Sequence, residues 1–169
     1  MDDNHMIKHI VNIQNSEIEA HEIACEGKIR QAVLAALFSE AVDKQCVVNI
    51  LITDDKGIKT YNRDYRKIDS ATDVLSFPMQ VFKKAGWGGI LNAEFDEATG
   101  DLPLGDIIIS MESIERQAKE YGNSIEYESA YLIIHSILHL LGYDHDSEDN
   151  EKTMHENGKS IMKGLSFDT

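Results

Sequence analysis

The sequence predicts an α+β fold in a single domain, residues 1–169, in which helices cover a small mixed sheet. Three observations support this prediction. A chain of 169 residues suits one domain. Its hydrophobic residues, 42% of the total, suffice for a core. Strand-like and helix-like segments are interspersed along the chain, and no internal repeat or low-complexity linker divides it.

The first third of the chain predicts two strands and a helix. Residues 7–14 mix apolar and polar side chains and could form an edge strand. Residues 28–42 place apolar side chains four apart, which is the spacing of one helix face. Residues 47–52 are rich in β-branched side chains and predict a strand, which ends at the turn signal in residues 54–57.

The middle of the chain predicts short elements around a long loop. We expect a short helix over residues 61–66 and a strand over residues 73–77 that Pro78 stops. Residues 79–103 are rich in glycine and acidic side chains, which predicts a surface loop with a partial hairpin. A short apolar strand follows over residues 106–109.

Two helices are predicted after this strand. Ser110 is a suitable N-cap for the first, which ends near residue 121. Asn123 starts the second, with Glu126 three positions on in a pattern close to a capping box. This second helix reaches residue 141 and stops at Gly142, since glycine is typical of helix C-termini.

A last helix is predicted from near Asp146 or Ser147 to near Gly164. Residues 146–151 contain four acidic side chains, which would repel a nucleic acid if they faced a binding cleft. Negative charge at a helix N-terminus is favoured by the helix dipole. We therefore interpret this run as a solvated helix start.

The charge and the cysteine content limit the partners and the compartment. A formal net charge of −14 predicts weak affinity for anionic membranes, and for nucleic acid unless a local basic surface overrides the global field. Cys25 and Cys46 form no CxxC pair and are interpreted as small buried hydrophobic residues. No apolar signal segment or bilayer-spanning run is visible. We therefore expect a cytoplasmic protein with no membrane partner.

The histidines of residues 135–145 predict a metal site. His135 and His139 lie four apart, so both imidazoles project from one face of the predicted helix. Gly142 permits a sharp turn that could return His145 to the same point. Three imidazoles with an open fourth position are typical of catalytic rather than structural zinc. The metal site would lie at the end of a buried helix.

The alternative interpretation is two core histidines and one surface histidine. The helix is apolar nearly all round, and two adjacent buried imidazoles without a shared partner would be costly, which favours the metal. The remaining histidines lack this spacing and are interpreted as surface or incidental residues: His5, His9, His21 and His155.

The residues around the histidines bear on the chemistry. Metzincin proteases share the histidine spacing but carry glutamate, their general base, directly after the first histidine. Here that position is Ser136, which cannot act as a carboxylate base. Asp144 and Asp146 flank the third histidine and could accept an imidazole N–H. Turn formation and helix capping explain these two acids equally well.

Three further blocks accompany the histidine stretch. They are residues 62–66 (Asn-Arg-Asp-Tyr-Arg), 72–78 (Thr-Asp-Val-Leu-Ser-Phe-Pro) and 104–110 (Leu-Gly-Asp-Ile-Ile-Ile-Ser). With residues 135–145, this order resembles the YbeY family of metal-dependent endoribonucleases, also called ribosomal RNA maturation factors. The resemblance covers roughly residues 45–165.

The chain departs from the family pattern at two of these positions. The family commonly has glycine where this chain has Ser136, and proline where it has Ala71. We expect a small packing change at Ser136, away from the histidine face. We expect a looser approach to the following strand at Ala71, and no effect on the chemistry from either residue.

The resemblance implies an α+β fold, three histidine ligands to zinc, and an endoribonuclease acting on single-stranded RNA. It places this activity in small-subunit ribosomal RNA 3′-end maturation and ribosome quality control, so we expect the small ribosomal subunit as a partner, and no DNA. Imidazole ligands also suit nickel or another divalent metal, so the identity of the metal stays open. The resemblance also implies that Arg66 is important for activity. The planar fork of an arginine matches two phosphate oxygens, although a surface ion pair is the alternative for Arg66.

A local basic strip would reconcile RNA binding with the acidic composition. Arg63, Arg66 and Lys67 are clustered, and Lys83 and Lys84 could lie nearby. We predict that Arg63 and Lys67 contribute to RNA binding beside Arg66.

Two other functions stay open from the sequence. One is a metal-dependent peptidase, against which Ser136 argues. The other is a non-enzymatic ribosome-associated factor whose metal is structural. A fourth protein ligand would favour the structural metal, whereas a water or small anion in that position would favour an enzyme.

Overall fold

The computed structural model describes residues 6–16 and 20–167, with the backbone alone for residues 20–24. A single turn of 3₁₀ helix, Trp87–Gly89, lies between two short strands. The other elements in chain order are β1 (Ile10–Asn15), α1 (Ala20–Ser39), β2 (Cys46–Thr53), α2 (Asp55–Arg66), β3 (Val74–Pro78), β4 (Val81–Phe82), β5 (Ile90–Leu91), β6 (Leu102–Ser110), α3 (Met111–Tyr121), α4 (Ile125–Leu140) and α5 (Glu148–Lys163).

A four-stranded mixed sheet organises the fold, in the order β1-β2-β6-β3. β1, β2 and β6 run parallel, whereas β3 pairs antiparallel with β6. This arrangement confirms the predicted α+β fold with a small mixed sheet and helices. β1 lies at one edge, where residues 7–14 were expected, and β3 lies at the other. The prediction of one domain over residues 1–169 extends beyond the described ranges and stays a prediction.

The main core lies against one face of the sheet. In β2, Cys46, Val48, Ile50 and Ile52 alternate toward this face and are all buried. Helix α4 is central, because it contacts α1, α3, α5 and β3. Its neighbours on several sides explain why its sequence is apolar nearly all round. No described helix is long and apolar enough to cross a membrane.

Helix α2 covers part of the opposite face of the sheet. It packs over a smaller apolar cluster that forms a second, separate contact between helix and sheet. The buried members of this cluster are Ile58, Leu75 and Ile108, and the partly buried Leu51, Tyr61 and Phe77 pack against them.

Helix α2 is longer than predicted, because it begins at Asp55 rather than residue 61. Asp54, expected in a turn, is the N-cap, and its Oδ1 accepts the backbone N–H of Gly57 at 2.7 Å. Acidic residues and glycine mark turns and helix starts alike, so the turn signal in residues 54–57 was misassigned.

Strand β6 is also longer than predicted, because it begins at Leu102 rather than residue 106. Leu102 and Leu104 are buried beside β2, and a register shift between Val47 and Val48 accommodates the extra length. The loop expected over residues 79–103 contains the partial hairpin that was predicted, formed by β4 and β5.

Serine side chains cap the helices that follow. Ser110 and Ser147 are the N-caps of α3 and α5, as predicted. The N-cap of α4 is Ser124 rather than Asn123. Asn123 donates instead to Glu128 Oε1 at 2.6 Å, so its side chain satisfies a buried carboxylate and not a backbone N–H.

The side chain of Asp55 ties the start of α2 to the start of α3. Its Oδ1 accepts hydrogen bonds from the hydroxyls of Ser110 and Ser113, each at 2.6 Å. Its Oδ2 lies 2.7 Å from Arg116 Nη1. Burial raises the pKa of the Asp55 carboxyl, but the hydrogen bonds from Arg116 and the two serines outweigh it and lower the pKa to about 2.

Replacing Asp55 with asparagine is expected to destabilise the metal-free protein by about 1–2 kcal/mol at pH 7, because the buried hydroxyls of Ser110 and Ser113 lose a charged acceptor. The folded-state pKa lies below the ordinary value of 3.8. The stabilisation by the carboxylate is therefore present above about pH 4 and is lost as the pH falls toward 2. Urea unfolding of both proteins in EDTA at pH 7 and pH 2.5 measures this effect. A stability difference that does not shrink at pH 2.5 contradicts the assignment.

The matched control is Asp69→Asn. Asp69 is exposed and lies 3.9 Å from Lys59, so its ion pair should contribute less than about 1 kcal/mol.

Candidate metal centre

The end of α4 and the loop after it gather histidines from residues 135–145. His135 and His139 lie one helical turn apart and are both half-buried. Gly142 has a φ of +90°, and a Cβ there would lie 2.5 Å from Phe82 Cβ, so both conformation and space require glycine. The turn brings His145 back to α4. The ring centroids of His139 and His145 are 4.8 Å apart, at an interplanar angle of 71°.

The backbone after α4 fixes the orientation of the His139 imidazole. His139 Nδ1 lies 3.0 Å from the carbonyl oxygen of Tyr143. A carbonyl only accepts, so Nδ1 must carry the proton and Nε2 keeps its lone pair. This tautomer leaves Nε2 of His139 available to a metal.

His135 is held as a neutral base inside the protein. Its Nε2 is buried and has no hydrogen-bond partner among the described residues. Burial, and after it electrostatic repulsion between imidazolium forms of His135 and of His139, His145 and His155, lowers the pKa of His135 to about 4. Burial lowers the pKa of His139 as well. Both imidazoles are therefore neutral at pH 7, which is the form that binds metals.

The donor set fits a divalent transition metal. The buried Nε2 of His135 has no hydrogen-bond partner among the described residues, and such a nitrogen lowers the stability of the fold unless a ligand binds it. The imidazole rings of His139 and His145 lie close together. Among the described residues, however, no group of three His, Cys, Asp or Glu side chains is already close enough to hold an ion. The metal site at the end of the buried helix, and zinc as its occupant, stay predictions.

The two acids that flank His145 bond to groups other than imidazoles. Asp144 Oδ1 accepts the backbone N–H of His145 at 2.7 Å, and Asp146 Oδ1 accepts from the side chain of Asn150. These contacts match the turn and helix-start interpretation. The observed acceptor for His139 is the carbonyl of Tyr143, because the turn at residue 142 points this group back at α4. A contact of either acid with an imidazole stays a prediction.

Two residues that the sequence did not suggest anchor this loop. The Tyr143 hydroxyl donates to Glu40 Oε2 at 2.8 Å and accepts from Asn157 Nδ2 at 3.0 Å. Burial, and then the Glu40 carboxylate, raise the pKa of Tyr143 to about 12. Glu40 lies at the end of α1, 103 residues before Tyr143, so no local pattern connects the two.

The remaining histidines have varied surroundings. His155 is exposed, although its charge reaches His135. His9 is half-buried and its Nδ1 accepts the backbone N–H of Cys46 at 3.2 Å, so it is not a surface residue. This contact is structural and matches the other interpretation of His9, as an incidental histidine. His5 and the side chain of His21 lie outside the described residues.

The two cysteines are buried, as predicted. Burial, and then the charge of Asp43, raise the pKa of the Cys46 thiol to about 12. This thiol is therefore protonated at neutral pH and is a poor nucleophile.

Arg66 stands at the end of α2, beside the free edge of β3. Its Nη2 donates to the Ser76 carbonyl at 2.8 Å, and its guanidinium carbon lies 5.5 Å from the centroid of the Phe77 ring. No ion pair of Arg66 occurs among the described side chains, so the surface-pair alternative is not observed. Arg66 and His139 line one cleft of about 440 Å³, together with Asp144.

The other basic residues of the predicted strip have different surroundings. Arg63 pairs with Asp64 at 3.1 Å, and Lys67 donates to the Asp64 carbonyl at 3.0 Å. Both are exposed, and their part in RNA binding stays a prediction. Lys83 and Lys84 line a second cleft of about 400 Å³, which shares Asp144 and the turn at residue 142 with the first. Cations thus stand on both sides of the histidine loop.

A comparison with known protein families bears on the whole chain. The family model described as Endoribonuclease YbeY matches residues 10–166. The chain belongs to the YbeY family. This match confirms the resemblance found over roughly residues 45–165 and extends it through α1 to β1.

Curated relatives agree with this assignment. An Endoribonuclease YbeY of Clostridium botulinum (strain Loch Maree / Type A3) is 45% identical over 151 residues, which cover 84% of this chain and 89% of that protein. Another, from Caldanaerobacter subterraneus subsp. tengcongensis, is 41% identical over 155 residues and covers 92% of this chain and 96% of that protein.

A solved structure supports the fold. The solution structure of TM1509 from Thermotoga maritima superposes with a TM-score of 0.54 at 26% sequence identity, covering 91% of this chain and 87% of that one.

The departure from the YbeY pattern at Ser136 lies inside the core. Its side chain is 1% exposed, and its hydroxyl has no hydrogen-bond partner among the described residues. This position therefore supplies neither a carboxylate base nor an exposed nucleophile.

Proposed function

We propose that this protein is a metal-dependent endoribonuclease that cleaves single-stranded RNA. We place it in the cytoplasm, in 3′-end maturation of small-subunit ribosomal RNA and in ribosome quality control, with the small ribosomal subunit as its partner. Membership of the YbeY family supports the endoribonuclease activity. The single structural observation that carries the proposal is the placement of Arg66 and His139 in one cleft.

Within this proposal, His135, His139 and His145 would hold one zinc ion per chain, or nickel or another divalent metal. Such an ion, when bound, lowers the pKa of a coordinated water to about 7 and polarises a phosphoryl oxygen. This chemistry makes a separate carboxylate base less necessary. The carbonyl of Tyr143 holds the proton of His139 on Nδ1, away from the ligand nitrogen.

Arg66 would bind the phosphate beside the scissile bond. Its guanidinium carries five N–H donors. The Ser76 carbonyl accepts a hydrogen bond from Nη2, and this bond holds the side chain in the cleft. The donors that remain form a planar fork suited to two phosphate oxygens. Burial first, and the nearby charge of Arg66 as a lesser cause, lower the pKa of His139 and so favour its neutral form.

The test of the proposal combines metal analysis with two substrates. The purified full-length protein is expected to carry about one divalent metal per chain and to cleave single-stranded RNA, and a chelator should remove both properties. An unfolded peptide, offered in parallel, should stay intact, because residue 136 supplies no carboxylate. Peptide cleavage without RNA cleavage would establish the peptidase alternative. Stoichiometric metal without cleavage of either substrate would favour the structural-metal alternative.

The Tyr143 anchor leads to a prediction about metal affinity. Tyr143→Phe removes the hydroxyl that Glu40 and Asn157 bind, so the loop that presents His145 and the Tyr143 carbonyl becomes less ordered. We expect metal to bind about 10-fold more weakly, the lower end of the effect seen for groups that orient metal ligands. Competition with a chromophoric chelator measures the affinity.

Two further variants serve as controls for this measurement. Glu40→Gln keeps an acceptor for the Tyr143 hydroxyl and should have a smaller effect. Glu97→Gln removes one exposed negative charge elsewhere and should leave the affinity unchanged. Equal losses of metal affinity in the Tyr143→Phe and Glu97→Gln variants would mean that the Tyr143 hydrogen bonds have no part in holding the metal.

A further inference from the structure

We propose that Tyr65, supported by Tyr61 and Phe77, is a stacking site for a nucleobase of the RNA, next to the phosphate bound by Arg66. This inference rests on the proposed function and deepens it, since it assigns a subsite for the base that the phosphate-binding arginine alone does not provide.

The three rings form a continuous aromatic group. Tyr61 and Tyr65 are nearly parallel, at 12°, with centroids 6.3 Å apart. Tyr65 meets Phe77 edge to face, at 65° and 5.6 Å. Tyr61 and Phe77 are partly buried against the apolar cluster under α2, so they are fixed by packing. They hold Tyr65 in place from two sides.

Tyr65 is the exposed member of this group, with 68% of its surface accessible. Isolated exposed aromatic residues are common and need no explanation. Here the exposed ring is held by two others and directly precedes Arg66, whose guanidinium lies over the Phe77 ring. Arg66 forms no ion pair among the described residues. A rigid, exposed π-face beside such a cation is the combination that proteins use to bind single-stranded nucleic acid.

The charge around this ring favours RNA as the occupant. The last turn of α2 and its cap carry Arg63, Arg66 and Lys67, although the chain as a whole has a net charge of −14. A polyanion would be attracted to this end of α2 and repelled by most other surfaces. An apolar peptide would gain nothing from these cations, and two copies of a chain with a net charge of −14 would repel each other overall.

The position of the ring also fits a nucleotide. Arg66 lines the cleft that contains His139. Tyr65 and Arg66 both contact the Phe77 ring, at 5.6 Å and 5.5 Å from its centroid. A phosphate on Arg66 therefore places the adjoining base within reach of Tyr65. Stacking does not read hydrogen-bonding edges, so this subsite would tolerate all four bases while requiring that a base be unpaired.

The experiment measures binding and cleavage separately, with the metal-loaded protein and a single-stranded oligoribonucleotide. Tyr65→Ala is expected to weaken binding about 5- to 150-fold, the range for loss of one stacked base. KM should rise while kcat stays near the wild-type value. Tyr65→Phe keeps the ring and should restore binding, whereas Tyr65→Leu should behave like alanine. Tyr121→Ala is the control, because Tyr121 is similarly exposed (65%) at the end of α3.

An abasic substrate provides the decisive comparison. A series of oligonucleotides, each lacking one base near the cleavage site, should contain one member that wild type and Tyr65→Ala bind equally. If Tyr65→Ala binds the intact RNA like wild type, or if Tyr65→Leu restores binding, the stacking site is wrong while the endoribonuclease proposal stands. If wild type neither binds nor cleaves RNA, the proposed function itself fails.

Discussion

Replacing His139 with alanine is expected to remove the metal and abolish RNA cleavage together, while the protein stays folded. His139 occupies the centre of the candidate site, with His145 4.8 Å away and the Tyr143 carbonyl fixing its tautomer. Without its Nε2, the remaining two imidazoles would be a weak pair of ligands. Loss of metal assistance removes several kcal/mol of transition-state stabilisation, so cleavage should fall at least about 1,000-fold.

The measurements are metal content by elemental analysis, cleavage of single-stranded RNA, and far-UV circular dichroism. His155→Ala is the matched control, since His155 is an exposed histidine whose charge also reaches His135. It should keep one metal per chain and full activity. Metal loss in both variants would make His155 a fourth ligand and favour a structural metal. A His139→Ala protein that keeps its metal would contradict the three-histidine site.

Replacing Arg66 with glutamate is expected to leave the metal and the fold intact but to reduce RNA cleavage by about 100- to 1,000-fold. The variant replaces a donor fork with a carboxylate that repels phosphate, and a lost hydrogen bond to a charged group costs about 1.5–3 kcal/mol before that repulsion. Arg66→Lys should lie between wild type and Arg66→Glu, because it keeps the charge but not the bidentate geometry.

The salt dependence of binding separates this role from a general charge effect. A plot of the logarithm of the RNA association constant against the logarithm of the salt concentration has a negative slope. Loss of one phosphate contact should make that slope shallower by about 1. Lys59→Glu is the control, because it makes the same change of charge on the same helix. Lys59 lies in a weak pair with Asp69, outside the cleft. Cleavage by Arg66→Glu at the wild-type rate would show that Arg66 has no part in the reaction.

The sequence predicted the parts of the site that local geometry governs. Two histidines four apart on a helix, a glycine and a third histidine follow from helical periodicity and from the positive φ that Gly142 adopts. The sequence could not predict the anchor of Tyr143 on Glu40 and Asn157, because Glu40 precedes Tyr143 by 103 residues and Asn157 lies in the next helix.

The errors in the predicted starts of two helices, α2 and α4, have a similar origin. The segment 54–57 starts α2 because Asp54 caps a backbone N–H, although the same residues could equally form a turn. Ser124 rather than Asn123 caps α4 because Asn123 is used by Glu128. In each case a contact in the folded protein determines which residue caps the helix, and a local sequence pattern does not contain that contact.

The burial of α4 has a consequence for the order of folding and binding of the proposed metal ion. Most residues of this helix are packed into the core, so its two histidines are held in place by hydrophobic contacts. Small zinc domains instead depend on the ion to fold at all. Here the chain should fold first and acquire its ion afterwards. Scarcity of metal would then leave an intact, inactive reserve of protein that a later supply of ions could activate.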